Sequence, residues 1–354
     1  MNVLVLVGLS VLSSCFAGWA IAGLVRRYAV ANDILDLPNA RSMHTTAIPR
    51  GGGVAIVLPV LTAIAVAGAA GILDPATALG LGLGGALVAL AGWVDDRGGL
   101  RPSTRLGVQL VAALILVASL GWPSVLHIGG WSADLGVGGI IVALLFTIWC
   151  TNLYNFMDGI DGFAGAEAVL VFGIGGVLLL TTDVTGLALV CAAVVGASLG
   201  FLRWNWSPAK LFMGDVGSGM LGFLVAGVAL ASEREGSAQA MSWVLLLGVF
   251  VFDATVTLVR RVANGERPSA PHRDHAYQRL VQGGWTHRGV SIGGGVLTLV
   301  LGALAAVGWT ESARQLPALA AGVVLLSLVF LRIERRRPFT PRSDSSGSTG
   351  SRSP

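Results

Sequence analysis

Thr151–Gly165, TNLYNFMDGIDGFAG, sets two asparagines and two aspartates between apolar runs. It follows the apolar segment 140–150 and leads into another that starts near Phe163, so Asn152, Asn155, Asp158 and Asp161 mark a membrane edge. A charged side chain at the middle of a bilayer costs about 2.5–3.5 kcal/mol on insertion scales, which makes ionisable residues beside a span candidates for function. The four polar residues recur at three-residue steps and would share one face of a helical turn, while Gly159 and Gly162 admit close approach of backbone or ligand. The stretch reads as the floor of a polar pocket.

The rest of the chain supports a membrane setting. Hydrophobic residues make up 54% of the 354 and charged residues 12%, against about 25% charged in soluble domains. Runs suited to helical spans of about 20 residues lie near 3–25, 52–72, 76–94, 106–121, 136–152, 163–181, 184–202, 217–232, 241–259, 289–309 and 314–331. The expected fold is an all-α polytopic membrane protein of eleven transmembrane helices. With the N-terminus outside and the C-terminus cytoplasmic, all 23 lysines and arginines except Arg234 and Arg314 fall on the cytoplasmic side, as the positive-inside rule requires. The net charge of +4 then reflects topology and headgroup contact and does not imply a nucleic-acid partner. Cys15, Cys150 and Cys191 lie in apolar spans and predict neither disulfides nor a thiolate metal site. Leu12–Cys15 looks like a lipoprotein cleavage box, but it lacks a basic leader and cleavage would cut a span, so the first span is expected to be retained.

The expected active-site loops, all cytoplasmic, are 26–53, 95–105, 152–163, 203–216 and 260–288, within a membrane domain 1–337. In the first, Arg41, His44, Arg50 and three glycines at 51–53 suit an anion cradle or a positive-inside loop with a glycine-rich helix start. The adjacent Asp95 and Asp96 suit a divalent cation or a shared proton, or else a solvated acidic loop. The loop 203–216 adds Asn205, Lys210, Phe212 and Asp215, with Val216–Gly219 offering free N–H groups that favour negative charge. Asp253 and Glu167, inside spans, read as pocket groups or as internal hydrogen-bond partners, with a lean to the structural role for Asp253. The last loop gathers His272, His275 and His287 among arginines including Arg273, which suits a phosphate-binding lid better than a metal site, or a basic loop on headgroups. Residues 338–354 are Ser/Gly/Pro-rich and are expected to be a disordered, dispensable tail.

Five aspartates ringed by cations call for a divalent ion, and oxygen ligands without thiols point to magnesium, with manganese as an alternative. A hard cation, guanidinium groups and glycine-rich turns describe a diphosphate site. No GxxxxGK[ST] motif is present, so a soluble nucleotide-binding fold is excluded and the acceptor is expected in the bilayer.

In sequence order, PRGGG at Pro49, VDDR at Val94, NLYNFMDGIDG at Asn152, FMGDVGS at Phe212 and HRDHAYQRL at His272 resemble the polyprenyl-phosphate N-acetylhexosamine-1-phosphate transferases. These form glycosyltransferase family 4, which includes phospho-N-acetylmuramoyl-pentapeptide transferase and the enzymes that begin O-antigen and teichoic-acid synthesis. The resemblance runs to about Arg337. It implies transfer of a sugar-1-phosphate from a UDP-N-acetylhexosamine to undecaprenyl phosphate at the cytoplasmic face of a bacterial inner membrane, with release of UMP. It further implies Asp215 as the magnesium ligand and Asp95 with Asp96 handling the lipid phosphate. Asn152, Asn155, Asp158 and Asp161 would line the nucleotide and sugar pocket, and Asn205 and Phe212 would hold the uracil. Arg50, His272 and Arg273 would contact substrate, and His275 would match the first residue of the family's histidine cluster. Ala276, Tyr277 and Gln278 replace further histidines of many relatives, and Gly99 a lysine of some, so diphosphate and sugar contacts are expected to differ. The pattern looks like the branch that initiates surface polysaccharide. The oligomeric state is open, a homodimer being one option. A cation-coupled transporter and an intramembrane aspartyl protease are the competing readings; the first lacks a polar path outward and the second wants its acids inside the membrane.

Overall fold

A computed structural model of the chain describes residues 2–37, 43, 46–122, 124–128, 131–267, 270, 272–309 and 311–339. Arg41 and His44 of the expected anion loop, and the tail beyond 339, lie outside these residues. Within a bilayer the backbone must satisfy its own polar groups, and this apolar chain does so with helices. These are α1 (Val3–Ala31), α2 (Val54–Ala69), α3 (Pro75–Gly98), α4 (Pro102–Leu120), α5 (Gly138–Met157), α6 (Phe163–Leu180) and α7 (Thr185–Asn205). They continue with α8 (Asp215–Arg234), α9 (Ala240–Leu246), α10 (Gly248–Ala263), α11 (Ala276–Gln282), α12 (His287–Val307) and α13 (Ser312–Arg336). Two short antiparallel pairs complete the fold: β1 (Leu35–Asp36) with β2 (Ile48–Pro49), and the hairpin β3 (Val125–Ile128) with β4 (Trp131–Asp134).

Each of the eleven expected spans has a helical counterpart. Among the described residues nine helices are long and apolar enough to cross a membrane. The expected span 52–72 is the shorter α2, and the expected straight span 241–259 is instead two helices, α9 and α10, meeting at 82°. The second arm explains the break. Asp253, Thr257 and Arg261 are buried along α10 while Val259 and Val262 are exposed, and a helix that carries charge on one side suits the membrane surface better than its interior.

The centre of the bundle is α8, in which every residue from Val216 to Ser232 is buried. It packs against α3 and α5, and small residues let the backbones touch, as is usual where lipid supplies no hydrophobic drive between helices. A Cβ on Gly222 would lie 2.3 Å from the Cys150 carbonyl oxygen of α5, and one on Gly92 would lie 2.4 Å from the Asp215 carbonyl oxygen. Such contacts bring the acidic end of α3, the start of α8 and the polar end of α5 to one place. By contrast α1 and α13 are mostly exposed and form part of the outer ring.

Candidate active site

The Thr151–Gly165 stretch does not continue as one helical face. α5 ends at Met157, Asp158 caps it, and Gly162 adopts φ +75° before α6 begins. The break comes where Asp-Gly-Ile-Asp-Gly replaces the apolar periodicity, and glycine supplies the left-handed turn. Even so, Asn152, Asn155, Asp158 and Asp161 all line one cavity of about 520 Å³, joined by Arg50, Asn205, Phe212, Asp215, His272 and His275. Arg273 is not among its lining residues, nor are Asp95 and Asp96.

The adjacent aspartates divide their work. Asp96 turns inward, only 9% exposed. Its Oδ1 accepts from Arg50 Nη2 at 2.7 Å and from the Asp215 N–H at 3.0 Å, and its Oδ2 from the Val216 N–H at 3.3 Å. The free N–H groups expected at the start of α8 are therefore held by a carboxylate from α3. That is the stabilising place for negative charge at a helix N-terminus, and it gives Asp96 a structural role in holding the start of α8. Asp95 turns the other way. It accepts from the Leu100 N–H and from Arg105 Nη1 at 3.0 Å, while the same Arg105 atom reaches Asp215 Oδ2 at 3.4 Å. The Asp95 and Asp215 carboxyls thus share one guanidinium nitrogen.

The glycines after Arg50 are a correction. Gly52 and Gly53 donate their N–H groups to the Phe212 and Met213 carbonyls, each at 2.8 Å, and Phe212 donates to the Pro49 carbonyl at 2.8 Å. A Cβ on Gly53 would sit 2.4 Å from Gly217 Cα. These donors are spent on joining PRGGG to FMGDVGS, so the pair of motifs forms one platform instead of an anion cradle. Phe212 is thereby fixed at the cavity wall. Asn205 is a buried brace: its Oδ1 accepts from the Gly162 N–H and its Nδ2 donates to the Leu211 carbonyl, both at 3.0 Å. These two bonds fix the amide where it lines the cavity.

Asp161 is a second brace, accepting from the Ala209 N–H at 3.0 Å and lying 3.2 Å from His287 Nδ1. Burial pushes its carboxyl upward, but the bonds from His287 and Ala209 outweigh that and hold it below the usual range. Asp158 has no such relief: burial, then the charges of Asp215 and Asp96, push it up to about 8. The opposite wall comes from the histidine loop. Asp253 accepts from the Ala276 and Tyr277 N–H groups at 2.8 and 3.1 Å and lies 3.5 Å from His275 Nδ1, which gives this buried acid a structural role. His275 lies between the rings of Phe156 and Tyr277, and the Tyr277 hydroxyl donates to the Phe156 carbonyl at 3.0 Å.

Sequence reasoning missed Arg105, Gln109, Tyr277 and Gln278 as lining residues. Arg105 and Gln109 stand one helical turn apart shortly after the aspartate pair, a spacing that places both on the face turned to the cavity. Gln109 exchanges hydrogen bonds with Asn152 at 2.7 and 3.3 Å. Tyr277 and Gln278 stand where many relatives carry histidine, and the substitution by itself does not reveal that they line the cavity.

The donor set fits a hard cation. Asp215 and Asp95 supply carboxylate oxygens beside an open polar cavity, and magnesium is usually bound through one or two carboxylates plus substrate phosphates. Among the described residues no group of three or more histidine, cysteine or acidic side chains forms a closed metal cage, which is compatible with that mode.

Residues 78–233 match the sequence model of glycosyl transferase family 4. The chain is 32% identical over 301 residues to the decaprenyl-phosphate N-acetylglucosaminephosphotransferase of Mycobacterium leprae, covering 76% of this chain and 75% of that one. It is 29% identical over 273 residues to the probable undecaprenyl-phosphate N-acetylglucosaminyl 1-phosphate transferase of Bacillus subtilis, covering 76% and 75%. Against the undecaprenyl-phosphate alpha-N-acetylglucosaminyl 1-phosphate transferase of Escherichia coli K12 the identity is 29% over 301 residues, covering 80% and 78%.

Proposed function

Because the chain belongs to glycosyl transferase family 4, the polyprenyl-phosphate hexosamine-1-phosphate transferases, we propose that it moves a sugar-1-phosphate from a UDP-N-acetylhexosamine to undecaprenyl phosphate. The transporter and protease readings give way to that membership. On this reading the reaction runs at the cytoplasmic face of a bacterial inner membrane, as the first membrane step of a surface polysaccharide. The observation that carries the reading is the meeting of Asp95 and Asp215 under Arg105, beside a cavity whose size suits a nucleotide sugar and which stands at the ends of the spans.

In the proposed step an oxygen of the lipid phosphate attacks the β-phosphorus of the nucleotide sugar. A new phosphorus–oxygen bond forms, the bond from the β-phosphorus to the bridging oxygen breaks, and UMP leaves with that oxygen. Magnesium held at Asp215, with Asp95 beside it, would supply charge neutralisation at the diphosphate. Asn155 donates to Ser218 Oγ at 3.0 Å and so braces the first turn of α8, which carries Asp215. Arg105 keeps the Asp95 and Asp215 carboxyls together, and Asp96 fixes the backbone that presents Asp215. Phe212 offers a ring for stacking on the uracil, and His275 with Tyr277 walls the side facing the histidine loop. A route through a phosphorylated aspartate would use the same groups.

The test is to mix purified protein, undecaprenyl phosphate, magnesium and UDP-N-acetylglucosamine and to identify the released nucleotide. UMP that depends on both lipid and metal is the expected result. UDP would mean ordinary glycosyl transfer and would overturn the step; with no nucleotide released, other UDP-N-acetylhexosamines are tried, and silence from all of them overturns the reading.

A further inference from the structure

The histidine-loop wall rests on α11, a helix of seven residues. Isolated helices that short do not hold themselves in water, so its position is set from outside. Its first turn is fixed by Asp253 of α10, as described above. Its last turn is fixed by the other end of the chain. Arg279 is buried, 6% exposed, and its Nη1 donates to Glu334 Oε2 at 2.8 Å and to the Arg337 carbonyl at 2.7 Å.

Glu334 has further partners. Arg260 at the end of α10 reaches the same Oε2 at 2.6 Å, and the Phe339 N–H donates to Oε1 at 2.8 Å. Both guanidinium groups lie over the Phe330 ring, at 4.8 Å for Arg260 and 5.4 Å for Arg279. Arg337 returns a bond to the Gly283 carbonyl, where α11 ends, at 3.0 Å. One carboxylate of α13 thus ties together α10, α11 and the final turn. Charge-assisted bonds of this kind are stronger than neutral ones, and leaving a buried arginine without its partner is strongly unfavourable.

We propose that Glu334 is a positioning residue for the transfer reaction, setting His275 and Tyr277 against the cavity through Arg279 and α11. The proposal rests on the transferase reading for its kinetic arm only. A helix pinned at one end by Asp253 and at the other by Glu334 cannot slide, whereas one freed at its carboxyl end can pivot about Asp253. The Tyr277 hydroxyl would then leave the Phe156 carbonyl, two residues before Asp158, and the wall would retreat from the substrate. Misplacement by about 1 Å can cost about a hundredfold in rate.

The experiment compares wild type with Glu334→Gln, His275→Ala and the double variant, all purified in detergent. Glu334→Gln is expected to lower kcat about tenfold with little change in KM for the nucleotide sugar. In the His275→Ala background the same change is expected to cost less than about twofold, because groups acting as one unit are not additive. Equal fold-losses in both backgrounds, or an unchanged kcat, would overturn the proposal. Should Glu334→Gln prove unextractable, Glu334→Asp keeps the charge, shortens the reach and is read by the same criteria. Hydrogen–deuterium exchange over 276–282 provides an arm independent of activity: faster exchange in Glu334→Gln than in wild type is expected, and identical exchange would overturn the clamp. If wild type transfers nothing, the transferase reading fails while exchange still decides the clamp.

Discussion

At the scale of single residues, two adjacent aspartates of like chemistry receive different tasks from the direction in which each side chain leaves α3. Asp96 points into the bundle and meets backbone N–H groups and Arg50; Asp95 points toward Asp215 and Arg105. Asp215 is the group whose loss should end the chemistry. Asp215→Asn is expected to reduce UMP release more than about a hundredfold while the protein still elutes as a folded species in size-exclusion chromatography; near-normal turnover would remove Asp215 as the metal ligand. Asp158 supports a second prediction. Its carboxyl is pushed up to about 8 by burial and by the Asp215 and Asp96 charges, so it carries a proton at pH 7. A cation at Asp215 would relieve part of that push and favour release of the proton. Magnesium binding is therefore expected to tighten between pH 6.5 and 8, and calorimetry in buffers of different ionisation heat should register proton release. Asp158→Asn should weaken both effects, the remainder coming from the Asp215 carboxyl that would bind the ion.

At the scale of elements, the site depends on how closely backbones approach. The start of α2 and the start of α8 touch through Gly53 and Gly217, with two hydrogen bonds from Gly52 and Gly53 locking the motif platform. A methyl group at Gly53 would meet backbone atoms that have nowhere to go. Gly53→Ala is expected to cost about 1–3 kcal/mol through overpacking, seen as a lower thermal midpoint in detergent and a lower rate. The matched control is Gly107→Ala on α4, where a Cβ would meet nothing within 4 Å; it should leave both unchanged. Equal losses from the two substitutions would show that the close approach at Gly53 does not set the stability of this end of the bundle.

At the scale of the whole molecule, the uneven distribution of arginine predicts which face meets the cytoplasm. Single cysteines at Asn264 and Glu235, both exposed or partly exposed loop positions, test this in a background lacking Cys15, Cys150 and Cys191. A membrane-impermeant maleimide applied to intact spheroplasts should label the cysteine at 235 and spare that at 264 until the membrane is opened; the reverse pattern would invert the topology. The same scale bears on where packing contacts reach along the chain. Composition places the boundary at Pro338, yet the Phe339 N–H bonds to Glu334, so the ordered contacts include Phe339.

Much of this was legible in the sequence. Long apolar runs force helices, because a backbone in lipid has no other partner, and all eleven runs became helical. Polar motifs at their ends converge because hydrophobic matching aligns the ends of spans, which is why Asn152, Asn155, Asp158, Asp161 and Asp215 reach one cavity. The family resemblance held for the same reason: motif order survives in the linear chain. What the sequence did not contain were directions and distances between segments far apart along it. It could not tell that Asp96 faces a helix N-terminus 119 residues away, that Gly53 packs on Gly217, or that the span at 241–259 turns through 82°. Those outcomes depend on which side chain fills which gap between helices, and that is decided only when the whole bundle packs.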